Sequence, residues 1–211
     1  MTGLRALRGT PRAALAVVTL AAFTDMLLYG LVVPVLPGYA KDLGISDWAI
    51  GVLFGSYSVA LLVGTPIFGI LSDRVGRRGP MFCGLIGLGA ATLLFAFATN
   101  YPMLLTARVL QGIAAACTWT AGLALVADLY PSGSRGAAMG TALTGMTVGT
   151  LIGPPVGGLL FELGGYRLPF FVAGAAALLQ GLAMLLLLTE PAQFQLGNPD
   201  GSPTPSDRGS A

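Results

Sequence analysis

From Trp48 to Ser72 the chain carries no charged residue, and the same holds for Gly79 to Ala107, Val109 to Ala127, Gly136 to Phe161 and Leu168 to Thr189. A helix that crosses the hydrocarbon core of a bilayer needs about 20 predominantly apolar residues. Inside that core only a helix or a closed barrel satisfies its own backbone groups. Composition agrees: 55% of the residues are hydrophobic and 9% charged, where a soluble domain carries roughly 25% charged residues. Charges this sparse cannot coat a globule. The sequence predicts an all-α polytopic membrane protein, with no room for a soluble catalytic domain.

The run from Gly79 ends by Asn100, because Thr99-Asn100-Tyr101-Pro102 reads as a turn followed by a proline suited to a helix start. At the start of the chain Arg5, Arg8 and Arg12 precede an apolar stretch, as in a signal peptide. That stretch runs on to Leu36, too long for a signal core, and contains Asp25, so it reads as an uncleaved first span. Six transmembrane helices are predicted, at about 13–36, 48–72, 79–99, 102–128, 135–162 and 168–189, forming one bundle over 13–189. Residues 1–12 are a cytoplasmic N-terminal segment. Residues 190–211, rich in Pro, Gly, Ser and Asp, read as a disordered cytoplasmic tail. An even number of spans puts both termini on one side of the membrane. Arg5, Arg8, Arg12, Arg74, Arg77, Arg78, Arg135 and Arg208 fall on that side, against Lys41 and Arg167 on the other. The positive-inside rule makes that side the cytoplasm.

Several chemistries are excluded at once. A net charge of +2 with scattered basic residues offers nothing to nucleic acid. The absence of His removes imidazole as base, ligand or pH sensor. Cys83 and Cys117 lie inside apolar runs and read as packing residues. An intramembrane enzyme is disfavoured too: a Ser–His protease lacks its His, and Asp25 and Asp128 lie at different depths and cannot form an aspartyl dyad. No metal site or cofactor is indicated.

The polar residues inside the spans carry the functional signal. A carboxylate as deep as Asp25 costs several kcal/mol unless it is paired or protonated, which points to a proton or cation site. The alternative is a carboxylate that only bonds a neighbouring backbone. Tyr29, four residues on, shares its face. Arg108 lies near the outer end of the fourth span and cannot shed its charge, so it needs a partner, a carbonyl or water. At about 100° per residue, Gln111 falls about 60° from Arg108 and Trp119 about 20° from it. One stripe therefore carries Arg, Gln and an aromatic, with Trp119 open to packing or to ligand contact. Asp25 and Arg108 are placed to meet across the first and fourth helices. In the fifth span Gly149, Gly153 and Gly157 form a bare stripe for close helix approach, with Pro154, Pro155 and Gly158 beside it. Asp73 sits at the wrong end of a helix dipole, so it serves a partner such as Arg74 or the start of another helix.

These elements resemble the major facilitator superfamily, and within it the drug:proton antiporters with twelve helices. Gly69 to Arg78, with Gly69, Asp73, Arg74, Gly76, Arg77 and Arg78 at the key positions, matches the signature G-x-x-x-D-R-x-G-R-[RK]. Arg108-Val109-Leu110-Gln111-Gly112 is similar to the fourth-helix R-x-x-Q-G element, and Gly149 to Gly158 to the antiporter element G-x-x-x-G-P-x-x-G-G. Phe23-Thr24-Asp25 followed by Val32-Val33-Pro34-Val35-Leu36-Pro37 is similar to vesicular amine transporters and their bacterial multidrug relatives.

The resemblance implies a 3+3 inverted repeat within the bundle and proton-coupled efflux of organic cations or lipophilic drugs by alternating access. The energy source would be a proton gradient across the cell membrane. It further implies that Asp25 engages the proton or cation, that Arg108 is the charge of a proton relay, and that Asp73 and Arg74 belong to a cytoplasmic latch. The family has two six-helix bundles with substrate between them, and this chain corresponds to the N-terminal one. It would pair with its own copy or with a separately encoded half. The alternative is a non-transporting membrane subunit, or an inactive truncated fragment, that docks through the Gly149 to Gly158 face.

Overall fold

The computed structural model describes residues 10–188; the tail at 190–211 and most of the N-terminal segment lie outside the described residues. Six helices follow one another: α1 Pro11–Asp42, α2 Asp47–Val75, α3 Arg78–Ala96, α4 Tyr101–Leu129, α5 Ser132–Gly164 and α6 Arg167–Leu187. All six are long and apolar enough to cross a membrane, and no strand occurs among the described residues. The chain is a multi-pass membrane protein.

Local chemistry sets the helix starts. Thr10, Ser46 and Asn100 each accept a hydrogen bond from a backbone N–H three residues on, at 3.2, 3.4 and 3.0 Å, which satisfies one orphan donor of the first turn. Pro11 and Pro102 occupy first-turn positions where a missing N–H costs nothing. The helices overrun the predicted spans. α1 continues past the predicted 36, through Pro37, to Asp42, and α5, whose predicted span already held Pro154 and Pro155, extends to Ser132 and Gly164. A proline forfeits one internal hydrogen bond, but flanking turns and packing carry the helix on. α3 stops at Ala96, short of the predicted 99. Two carbonyls at that end accept from tyrosines: Tyr166 Oη donates to Phe95 O at 3.0 Å and Tyr39 Oη to Ala98 O at 2.8 Å. The two rings stack at 3.6 Å. These tyrosines tie three helix ends together.

The dominant packing pairs are α1 with α5, α2 with α4, α3 with α4 and α3 with α6. Exchanging the first three helices for the last three converts the α1–α5 pair into α4–α2 and maps α3–α6 onto itself. These three pairs follow an inverted 3+3 repeat, whereas α3–α4 has only a weak counterpart in α1–α6. α1, α3 and α4 bury more than half of their apolar windows, whereas α2 and α5 bury less than a quarter.

The interior divides into two apolar clusters. Toward the end carrying the α1–α2 loop, Leu28, Leu31, Val32, Val35 and Leu36 of α1 join Leu104 and Ala107 of α4, with Ala173 and Ala177 of α6. Toward the termini, Ala14, Val17, Val18 and Ala21 join Ala121, Leu125 and Met184. Thr24, Asp25, Thr118 and Gln180, all buried, fall between the two in sequence, with Trp119 beside them. This polar waist holds Asp25 and Trp119, two of the candidate site residues.

Candidate functional site

Asp25 is 1% exposed. Its Oδ2 accepts two hydrogen bonds, from Tyr57 Oη of α2 at 2.9 Å and from Trp119 Nε1 of α4 at 2.7 Å. Its Oδ1 is equally buried and has no hydrogen-bond partner. Three helices thus converge on one carboxylate and leave one oxygen unused. Tyr29 lies beside Tyr57, ring centroids 5.2 Å apart, and is half-buried like Trp119.

Arg108 is also 1% exposed. Its Nη1 donates to Gln111 Oε1 at 3.1 Å; Gln111 Nε2 donates to Thr92 Oγ1 at 2.9 Å, and Thr92 Oγ1 to Leu88 O at 2.7 Å. Gln111 is thereby fixed with its oxygen toward the guanidinium. The guanidinium carbon sits 5.3 to 6.0 Å from the centroids of Phe54, Phe95, Tyr29 and Tyr57. Four ring faces supply cation–π attraction in place of a counter-ion. Arg108 Nε and Nη2 stay buried without acceptors.

The expected meeting of Asp25 and Arg108 does not occur in this conformation: they form no ion pair within 4.0 Å. Axial register explains why. With α1 ending at Asp42, Asp25 stands about 26 Å along the axis from that end, while Arg108 is about 10 Å from the start of α4 at Tyr101. Trp119, about 27 Å from Tyr101, is the α4 residue level with Asp25. Tyr57 spans the gap, with its hydroxyl on Asp25 and its ring 6.0 Å from Arg108. Sequence reasoning missed Tyr57. The available signal was a phenol in the middle of an apolar span, which needs a partner.

At the end carrying the termini, Gly76 adopts φ 94 and ψ 172, a backbone region open essentially to glycine alone. The turn swings Arg77 back under the bundle. Its guanidinium bonds Asp73 at 2.5 Å, Asp128 of α4 at 2.9 Å and Ser72 Oγ at 3.1 Å. Burial alone would lower its pKa, but the hydrogen bonds it donates to Asp128 and Asp73 raise it above the ordinary arginine value. Asp73 therefore serves Arg77 rather than Arg74, which is exposed. Asp128 is this cluster's second carboxylate. Arg78 Nη2 donates to Leu185 O near the end of α6 at 2.6 Å, and Gly69 is half-buried on α2.

The glycine stripe of α5 is filled by α1. A Cβ on Gly153 would lie 2.8 Å from Leu27 O and 2.9 Å from Gly30 Cα, and one on Gly157 2.7 Å from Leu31 O. Gly149 abuts Phe23 O and Leu27 N in the same way, and Pro154 Cδ lies against Gly30. Pro155 is exposed, and a Cβ on Gly158 would meet nothing within 4 Å. The stripe is an internal seam, so the docking face of the alternative reading is already occupied.

A family model described as Major Facilitator Superfamily matches residues 18–207. The chain is 39% identical over 186 residues to the probable vesicular acetylcholine transporter-B of Danio rerio, covering 84% of this chain and 38% of that protein. It is 38% identical over 168 residues to the synaptic vesicular amine transporter of Homo sapiens, covering 79% and 32%. A crystal structure of a bacterial homolog to the human lysosomal transporter Spinster, inward-facing and unoccupied, superposes with a TM-score of 0.80 at 22% identity, covering 95% of this chain and 47% of that one. At that identity the likeness is one of fold. The chain spans between 32% and 38% of the length of these two curated relatives.

Proposed function

The chain belongs to the major facilitator superfamily, and on that premise we propose that it is the N-terminal bundle of a proton-coupled antiporter that exports organic cations or lipophilic drugs by alternating access. One observation carries the reading: Asp25, buried in the waist, is held on one oxygen by Tyr57 and Trp119 and free on the other. A carboxylate so placed can take up a proton or a cationic ligand but not both together, which is the exchange an antiporter needs. Substrate enters against an ionised Asp25, and protonation releases it.

Arg108, one layer away and fixed through Gln111, supplies positive potential that favours the ionised carboxylate. Trp119 and Tyr29, both half-buried, form the wall a ligand body meets. Asp73, Arg74, Gly76, Arg77 and Arg78 form the gating loop, and the exposed apolar faces of α2 and α5 are where a second six-helix bundle packs. The excess of arginine on the side of the termini supports a cell-membrane orientation with both ends cytoplasmic. In this reading the protein performs transport rather than catalysis, and the proton gradient stands in place of a cofactor.

The test is Asp25→Asn in the protein as the cell makes it, reconstituted in proteoliposomes under an imposed pH gradient. Cation export driven by the gradient is expected to vanish while membrane insertion and thermal stability persist. Coupled export retained in Asp25→Asn would remove the role assigned to this residue.

A further inference from the structure

Resting on the proposal that Asp25 receives the transported cation, we infer that the site selects cations carrying at least one N–H, namely protonated primary, secondary or tertiary amines, over quaternary ammonium ions. Two separate features lead there. First, Asp25 presents one usable oxygen. Oδ2 already accepts from Tyr57 and Trp119, so only Oδ1, buried and unpartnered, is left for a ligand. An N–H donor completes it. A quaternary ammonium has no donor, so that buried oxygen stays without a hydrogen bond and the contribution an N–H would make there is lost.

Second, the aromatic faces that would compensate a quaternary ion are in use. Such ions are recognised by cages of several rings. A four-ring cage does lie one layer from the waist, made by Tyr29, Phe54, Tyr57 and Phe95, but the Arg108 guanidinium fills it. Among the rings near Asp25 that leaves Trp119, held edge-on by its N–H to the carboxylate, and one ring does not make a cage. A site built to hydrogen-bond a donor discriminates against an isostere that lacks one more strongly than an apolar pocket discriminates by size.

The test uses a matched pair differing in one N–H: N,N-dimethylphenethylammonium and N,N,N-trimethylphenethylammonium. Trp48 is 79% exposed and remote from the site, and the chain has two tryptophans. Trp48→Phe therefore leaves Trp119 as the reporter within this bundle. Binding is read from Trp119 emission on the purified protein, in that background and with Asp25→Asn added. The tertiary ammonium is expected to bind at least about tenfold more tightly, and Asp25→Asn to abolish that preference. Equal or tighter binding of the quaternary ion, lost in Asp25→Asn, overturns the N–H inference and leaves the cation site standing. If neither ion perturbs Trp119, or if Asp25→Asn changes nothing, the cation site itself falls and the inference with it.

Discussion

Asp25 is pinned and unfinished at once: two donors fix one oxygen while the other faces no partner. The fixing has consequences of its own. Tyr57→Phe removes one donor and lets the carboxylate rotate about its remaining bond to Trp119. A hydrogen bond to a charged group contributes about 1.5–3 kcal/mol, so the variant should lose about that much stability, measured by thermal unfolding in detergent. It should also discriminate less between tertiary and quaternary ammonium ions. Arg108→Lys replaces a planar guanidinium, matched to four rings and to Gln111, with a compact and strongly hydrated ammonium. A loss of about 1–3 kcal/mol is expected on the same assay. Asp25, Tyr29, Arg108, Gln111 and Trp119 could all be picked from sequence because polar groups are conspicuous in apolar spans. Their grouping could not. A helical wheel gives direction around one axis but not the axial register between helices, and register is what gave Asp25 to Trp119 and Tyr57 rather than to Arg108.

Among elements, the α1–α5 seam is the most exacting. At Gly153 and Gly157 the atoms a side chain would strike belong to the α1 backbone, which cannot move aside as a flexible side chain can. Gly153→Val should force the two helices apart at an overpacking cost of about 1–3 kcal/mol, whereas Gly158→Ala, five residues on with open space, should be neutral. Unfolding temperatures of the two variants decide the point, and equal effects would mean that the seam is looser than described. At the loop joining α2 to α3, Arg77→Ala strips Asp128 and Asp73 of their shared cation. Loss of a charged hydrogen-bond partner at a half-buried site should cost about 1–3 kcal/mol, again read by thermal unfolding. Five of the six elements were legible as charge-free runs and the first as an apolar stretch around Asp25, and the start of α4 as a turn followed by Pro102; sequence reasoning missed the cap at Ser46. The ends were less so: sequence reasoning stops the first span at Leu36, before Pro37, whereas packing carries α1 through that proline to Asp42. Sequence reasoning weighs Asp128 only against Asp25, since nothing in sequence spacing connects it to Arg77 across 51 positions.

At the scale of the whole molecule, two inverted triplets place α1 and α4 so that Asp25 and Trp119 meet at one level, while α2 and α5 keep their apolar faces outward. Val59, Leu62, Val63 and Ile67 on α2 and Leu151, Leu159 and Leu163 on α5 are all more than half exposed. In the proposed assembly a second bundle covers part of these faces and closes over the waist. The central claim is that one carboxylate alternates between proton and cation. Its most direct test is proton release: a protonated amine is added to the purified protein in weakly buffered detergent solution, and the pH is followed. The account expects amine-dependent release from the unmodified protein and none from Asp25→Asn. Release of equal size from both would contradict it.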